Sequence, residues 1–528
     1  MYIYGKILTD LKRIQKPLII IFMSVKEEFI QEIQKNYQYK GDKIVLGKAK
    51  LNGEVLNEGE ISVALKTLNR HGLIAGATGT GKTKSLQILA EQLSLKGVPS
   101  LLMDIKGDLS GIAKPGNTED KGIQERQSLL GLDYSPAGAP VEFLSLSDEK
   151  GLRLRATVSE FGPILFSKIL DLNDTQTSII SIIFKYCDDK ALPLVDLADM
   201  RKVLQYVSEN NEGKKELTSS YGTISPASLG TILRKIVALE QQGATRFFGE
   251  PSFDVNDLMK TRDGKGVVSV IRLTDIQNKP SLFSTFMLSL LAEIYETQPE
   301  VGDLDKPKLV IFIDEAHLIF NEASDALLDQ IETMVKLIRS KGVGLYFCTQ
   351  VPGDVPDAVL SQLGLKIQHA LRGFTAKDRK QIQKAVENYP ISDYYKADEV
   401  ITQLGIGEAF ITALNEKGVP TTLAHTYMRA PLSRMDILTD AEINSIVGES
   451  YLVDKYAQDL DKESAFEILS QKLENASTEE PITKRPVGRP KKEKSTLETI
   501  LSDSTTKSFI RTIGNQIIRG IFGKLTKR

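Results

Sequence analysis

The chain has few of the residues that would tie it to an extracellular, metal-bound or membrane-spanning life. Its two cysteines, Cys187 and Cys348, are far apart and each sits inside an apolar run, which excludes a disulfide framework and fits buried thiols in a reducing compartment. The four histidines, His71, His317, His369 and His425, show no metal-ligand spacing with one another or with cysteine, so no zinc site is expected. Charge of neither sign dominates: Lys and Arg number 67 against 69 Asp and Glu. Net charge therefore carries no information about nucleic acid.

Long apolar runs are also missing. The longest candidate, PLIIIFM at 17–23, falls well short of the ~20 residues a membrane-spanning helix needs. With Lys6, Lys12, Arg13 and Lys16 before it, the run imitates a signal peptide, but SVKEEF follows in place of a small-residue cleavage site. Translation is expected to begin at Met23, which makes residues 1–22 an upstream extension and not a structural element. A native mass beginning at Met1 would overturn it.

What is present is a repeated αβ rhythm. At 528 residues two to four domains are expected, taking ~150 residues for each. A helix over 27–37 and short glycine-broken β runs over 42–71 make a small lead-in within 23–71. From 72 to 437, β-rich runs alternate with helix-period segments, the pattern of βαβ units and a parallel sheet. Strands are expected at 72–75, 98–105, 308–314, 343–349 and 366–371. The interval 106–300 is expected to be a mostly helical insertion with one strand-like run at 266–273. A helical region at 438–475, a flexible basic linker at 476–494 and a basic tail at 495–528 complete the organisation.

The chemistry is concentrated in GLIAGATGTGKTKS, 72–85. Gly76, Ala77, Thr78, Gly79, Thr80, Gly81, Lys82 and Thr83 satisfy G-x-x-x-x-G-K-[ST], after an apolar strand and before an amphipathic helix. Glycines let backbone N–H groups face phosphate oxygens, Lys82 reaches the β- and γ-phosphates, and the Thr83 hydroxyl ligates Mg2+. The helix behind them aims its positive end at the anion. KLVIFIDEAH at 308–317 supplies the second half: Asp314 to hold the Mg2+ ion through water and Glu315 to orient or deprotonate the attacking water. An acid directly after the metal aspartate favours ATP hydrolysis coupled to mechanical work. Gln350, at the end of VGLYFCTQ, is the candidate γ-phosphate sensor. Its bland alternative is an amide capping the turn before Pro352.

The order of these segments, with LNRHGLIAGATGTGKTKSLQ, DIKGDLSG at 104–111, IDEAH at 313–317 and RSKGVGLYFCTQVPGDVPDAVLSQLGLKIQHALRGFT at 339–375, resembles the HerA-like branch of the HerA/FtsK superfamily of P-loop ATPases. The resemblance covers about 72–430. It implies a RecA-like α/β P-loop core with ATP and Mg2+ as cofactors, a hexameric ring of identical subunits, and duplex DNA or another polymer in the channel. It also implies an arginine finger from a neighbour, for which Arg372 ranks before Arg339. In DIKGDLSG, Asp104, Lys106 and Asp108 are weighed as contacts to the metal's water shell or carriers of a signal between nucleotide and insertion, against a polar turn with Gly107 at positive φ, and function is favoured for Asp104 only. His317 is read as structural.

The tail adds two weaker signals. KRPVGRPKKEK at 484–494 partly matches a minor-groove AT-hook. KSFIRTIGNQIIRGIFGKLTKR at 507–528 sets Ile510, Ile513, Ile517, Ile521 and Leu525 near helical spacing with six Lys and Arg and no acid. Docking on the motor is the first expectation for it, ahead of a membrane surface or DNA. The leading functional expectation is a cytoplasmic Mg2+-dependent ATPase moving on DNA; the others are a slow ATPase switch bound to an unidentified protein partner, and a protein-moving motor of the same superfamily.

Overall fold

The computed structural model describes residues 25–275, 280–302, 304–321, 325–458 and 463–478. Expectations about residues 1–22, 479–494 and the basic tail fall outside them. The described residues divide between two compact units, one formed by 25–154 with 254–457 and the other by 155–253 with the described residues from 458 onward.

The first unit is built on one sheet of twelve strands. In chain order these are β1 (Lys43–Leu51), β2 (Glu54–Ala64), β3 (Gly72–Ala75), β4 (Ser100–Asp104), β5 (Val141–Ser145), β6 (Leu152–Arg153), β9 (Val268–Arg272), β10 (Leu309–Ile313), β11 (Val343–Thr349), β12 (Leu365–Gln368), β13 (Glu408–Thr412) and β14 (Ala424–Met428), with a separate small hairpin of β7 (Thr261–Arg262) and β8 (Lys265–Gly266). Their order across the sheet is β2-β1-β14-β13-β12-β3-β11-β10-β4-β9-β5-β6. Every pairing from β12 to β6 is parallel. The four strands beyond β12 are antiparallel.

The residues explain this division. β3, β4, β10 and β11 are buried at every position, as parallel strands covered on both faces must be. β1 alternates between buried and half-buried residues, the period-2 mark of a strand with one wet face. The helix over 25–37 buries Phe29, Ile33 and Tyr37 in the same core. Both cysteines are free and buried. No helix among the described residues is long and apolar enough to cross a membrane.

The second unit is helical: Val158–Ile169, Asp174–Lys190, Leu197–Glu209, Asn211–Tyr221, Pro226–Gln241 and, from much later in the chain, Ala465–Thr478. The last is held by Asp199, whose Oδ1 accepts from Ser464 Oγ at 2.6 Å and from the Phe466 N–H at 2.7 Å.

These boundaries correct three expectations. The helical insertion is 155–253 and not 106–300, because β5 and β9 extend the main sheet from within that interval. The lead-in is no separate structure, since β1 pairs with both β2 and β14. The region 438–475 is divided: the helix Asp440–Gly448 belongs to the first unit and Ala465–Thr478 to the second. Helical periodicity marks a helix equally whether it crosses over a sheet or packs in an insertion, so it cannot place such borders.

Candidate active site

Parallel strands deliver all their C-terminal ends to one edge, and here β11 lies between β3 and β10. The loop 76–81 leaves β3, Gln350 follows β11, and Asp314 and Glu315 follow β10. The fold thus brings the phosphate-loop residues, the acidic pair and Gln350 to adjacent positions. Arg372 follows β12 on the same edge and is exposed. Arg339 is not brought there: it precedes β11, whose seven residues at ~3.3 Å each put it roughly 20 Å away at the opposite edge.

The loop is tied to its neighbours by backbone groups. The Gly76 N–H donates to Thr349 O and the Ala77 N–H to Ala370 O, at 3.3 and 2.8 Å. Gly76 has φ 153°, and a Cβ there would stand 2.5 Å from Cβ of His369, so only glycine fits. Lys82 folds its ammonium onto the loop, 2.6 Å from the Gly76 carbonyl and 3.2 Å from that of Ala77. Burial, followed by the nearby Lys106, lowers its pKa.

His369, which the sequence reading left unassigned, is fully buried beneath the loop. Its Nδ1 is 2.9 Å from the Glu408 carbonyl, which can only accept, so Nδ1 carries the proton. Nε2 then accepts from Ser85 Oγ at 2.8 Å. Burial pushes the pKa down to about 4, keeping the ring neutral. This side chain joins the first turn of the helix Lys82–Leu95 to β13, a link made visible only by the fold.

Asp314 and Glu315 are both buried. Burial first, and Glu315 among the remaining causes, pushes Asp314 up to about 7, against the lowering influence of Lys106. Asp314 Oδ2 makes no hydrogen bond, and Lys106 Nζ stands 4.0 Å from it. A buried carboxylate oxygen without a donor beside a threonine-bearing phosphate loop suits a hard, oxygen-seeking cation, so the residues fit Mg2+. Glu315 takes φ 48°, a conformation that costs a non-glycine residue roughly 1–3 kcal/mol. Its carboxylate forms an ion pair with Lys106 through Oε1, and its Oε2 lies 3.1 Å from His317 Nδ1. His317, read as structural, thus stands against the acidic pair.

Asp104 does not join that pair. Its Oδ1 accepts from the N–H groups of Gly107 and Asp108 at 2.7 and 3.2 Å, and its Oδ2 from that of Leu109 at 3.2 Å. The carboxylate builds a turn with Gly107 at φ 77°, the polar turn weighed in the sequence as the alternative to a role in the metal's water shell.

A model of the helicase HerA-like C-terminal family matches residues 49–528. The DNA import protein CedB of Sulfolobus acidocaldarius is 23% identical over 412 residues, 77% of this chain and 60% of that protein. The DNA double-strand break repair helicase HerA of the same organism is 19% identical over 380 residues, 71% of this chain and 69% of its own length. The chain thus spans about 60% of CedB. Among solved structures, the plasmid coupling protein TrwB in complex with the non-hydrolysable GTP analogue GDPNP shares the fold, with a TM-score of 0.50 at 13% identity, covering 77% of this chain and 95% of that one.

Proposed function

The chain belongs to the helicase HerA-like C-terminal family of P-loop ATPases, and from that premise we propose that it hydrolyses ATP with Mg2+ to move along duplex DNA as a ring oligomer. The observation that carries the reading is the shared strand edge, where Lys82, Thr83, Asp314, Glu315 and Gln350 come together from three adjacent strands.

The backbone N–H groups of 76–83 and the N-terminal end of the helix Lys82–Leu95 hold the phosphates, and Lys82 leaves its loop carbonyls for the β- and γ-phosphate oxygens. Thr83 and Asp314 hold Mg2+, which neutralises phosphate charge when bound. Glu315 takes a proton from the water that attacks the γ-phosphorus; the bond to the β-phosphate bridging oxygen breaks, giving ADP and inorganic phosphate. Gln350 senses the γ-phosphate. Arg372 of an adjacent subunit completes the site, a contribution worth ~10³ to 10⁵ in rate in related chemistry.

Glu315→Gln should keep ATP binding and assembly while lowering kcat by roughly 10² to 10⁴, the usual worth of a positioned general base. Lys82→Ala should lose binding as well. Unchanged turnover in Glu315→Gln would remove Glu315 from that role.

A further inference from the structure

The acidic pair has an organic cation built against it. Parallel pairing of β4 with β10 sets Met103 opposite Ile313. Three residues beyond Met103 is Lys106, and two beyond Ile313 is Glu315, so the two chains leave the sheet side by side. The turn that carries Lys106 is fixed independently of the ion pair, by the three N–H groups that Asp104 accepts and by the positive φ of Gly107. From that turn the ammonium reaches Glu315 Oε1 and lies 4.0 Å from Asp314 Oδ2. The lysine side chain is 35% exposed, whereas those of Asp314 and Glu315 are 5% and 8% exposed.

We propose that Lys106 is a positioning residue that holds the Glu315 carboxylate in place and competes with the divalent cation for Asp314 Oδ2. The inference rests on the reading of Glu315 as general base and of Asp314 as metal ligand. Two features give it physical content. Glu315 occupies left-handed backbone, where an acidic side chain without an anchor has reason to relax, and Lys106 and His317 flank its two oxygens. A cation at Asp314 Oδ2 and an ammonium 4.0 Å from the same atom repel one another, so arrival of the metal weakens the hold of the Lys106 ammonium on the acidic pair while the turn behind it stays in place.

The test uses the full-length protein with ADP and Mn2+ as the metal probe, read by the loss of free Mn2+ signal in electron paramagnetic resonance. Lys106→Met and Lys106→Gln should bind Mn2+ roughly three- to tenfold more tightly than wild type, an effect of the size a partly exposed charge allows. Both should lower kcat at saturating ATP by at least about tenfold through the loss of Glu315 positioning, within the span of a general-base contribution. Lys106→Arg should restore both properties to near wild type. Circular dichroism melts should shift little, because Asp104 and not Lys106 builds the turn. A lysine serving structure alone predicts weaker metal binding in the Met and Gln variants; weaker or unchanged Mn2+ affinity, or unchanged kcat, overturns the proposal. Failure of the underlying reading looks different: the wild type itself then shows no Lys82-dependent turnover.

Discussion

At the residue scale, two neutral histidines make the core sensitive to acid. His71 accepts the Leu345 N–H on Nδ1 at 3.0 Å, and burial pushes its pKa down to about 4, as for His369. A histidine ordinarily titrates near 6.5, so between that value and about 4 the unfolded chain binds more protons than the folded one. Stability contributed by these rings is complete above pH 6.5 and is lost as pH falls towards 4, by up to about 1.4 kcal/mol per pH unit for each. Urea midpoints should decline across that window. His71→Asn, which suits the φ of 58° at this position, should flatten the decline by about half; an unchanged slope would mean that His71 does not titrate there. The same scale separates what the sequence made legible from what it hid. Lys82, Thr83, Asp314 and Glu315 were readable because phosphate and metal chemistry demand those types at fixed offsets. The pairing of Lys106 with Glu315 and of His369 with Ser85 was not, because those partners lie about two and three hundred residues away, joined by strand register and not by spacing.

At the element scale, the strands flanking the nucleotide edge were readable from unbroken apolar runs, and β11 occupies Val343–Thr349 as expected. β5, β13 and β14 escaped because VEFLS, EAFIT and AHTYM carry polar residues that break up their apolar runs. The division of the C-terminal helices was equally hidden, since it depends on one buried carboxylate. Asp199 accepts from Val195, Asp196, Ser464 and Phe466, so Asp199→Ala leaves several donors without a partner. The helical unit should lose about 2–3 kcal/mol and release the helix Ala465–Thr478 to protease. Digestion at an unaltered rate would show that the helix is held by its apolar face alone.

At the scale of the whole molecule, the proposed ring gives the exposed Arg372 on the nucleotide edge a role that would tie catalysis to assembly. Arg372→Ala should reduce kcat by ~10³ or more while leaving ATP affinity nearly intact. Mixing it with Lys82→Ala subunits should recover activity, because interfaces then form that join an intact phosphate loop to an intact arginine. No recovery would place Arg372 outside the composite site. The most direct test of the central reading is steady-state ATPase activity of the purified chain with and without linear duplex DNA across a salt series, with Lys82→Ala as control. A DNA motor predicts severalfold stimulation that depends on Lys82 and disappears with salt, as phosphate contacts do. Lys82-dependent turnover indifferent to duplex at every salt concentration would contradict it and point to a protein as the cargo or partner.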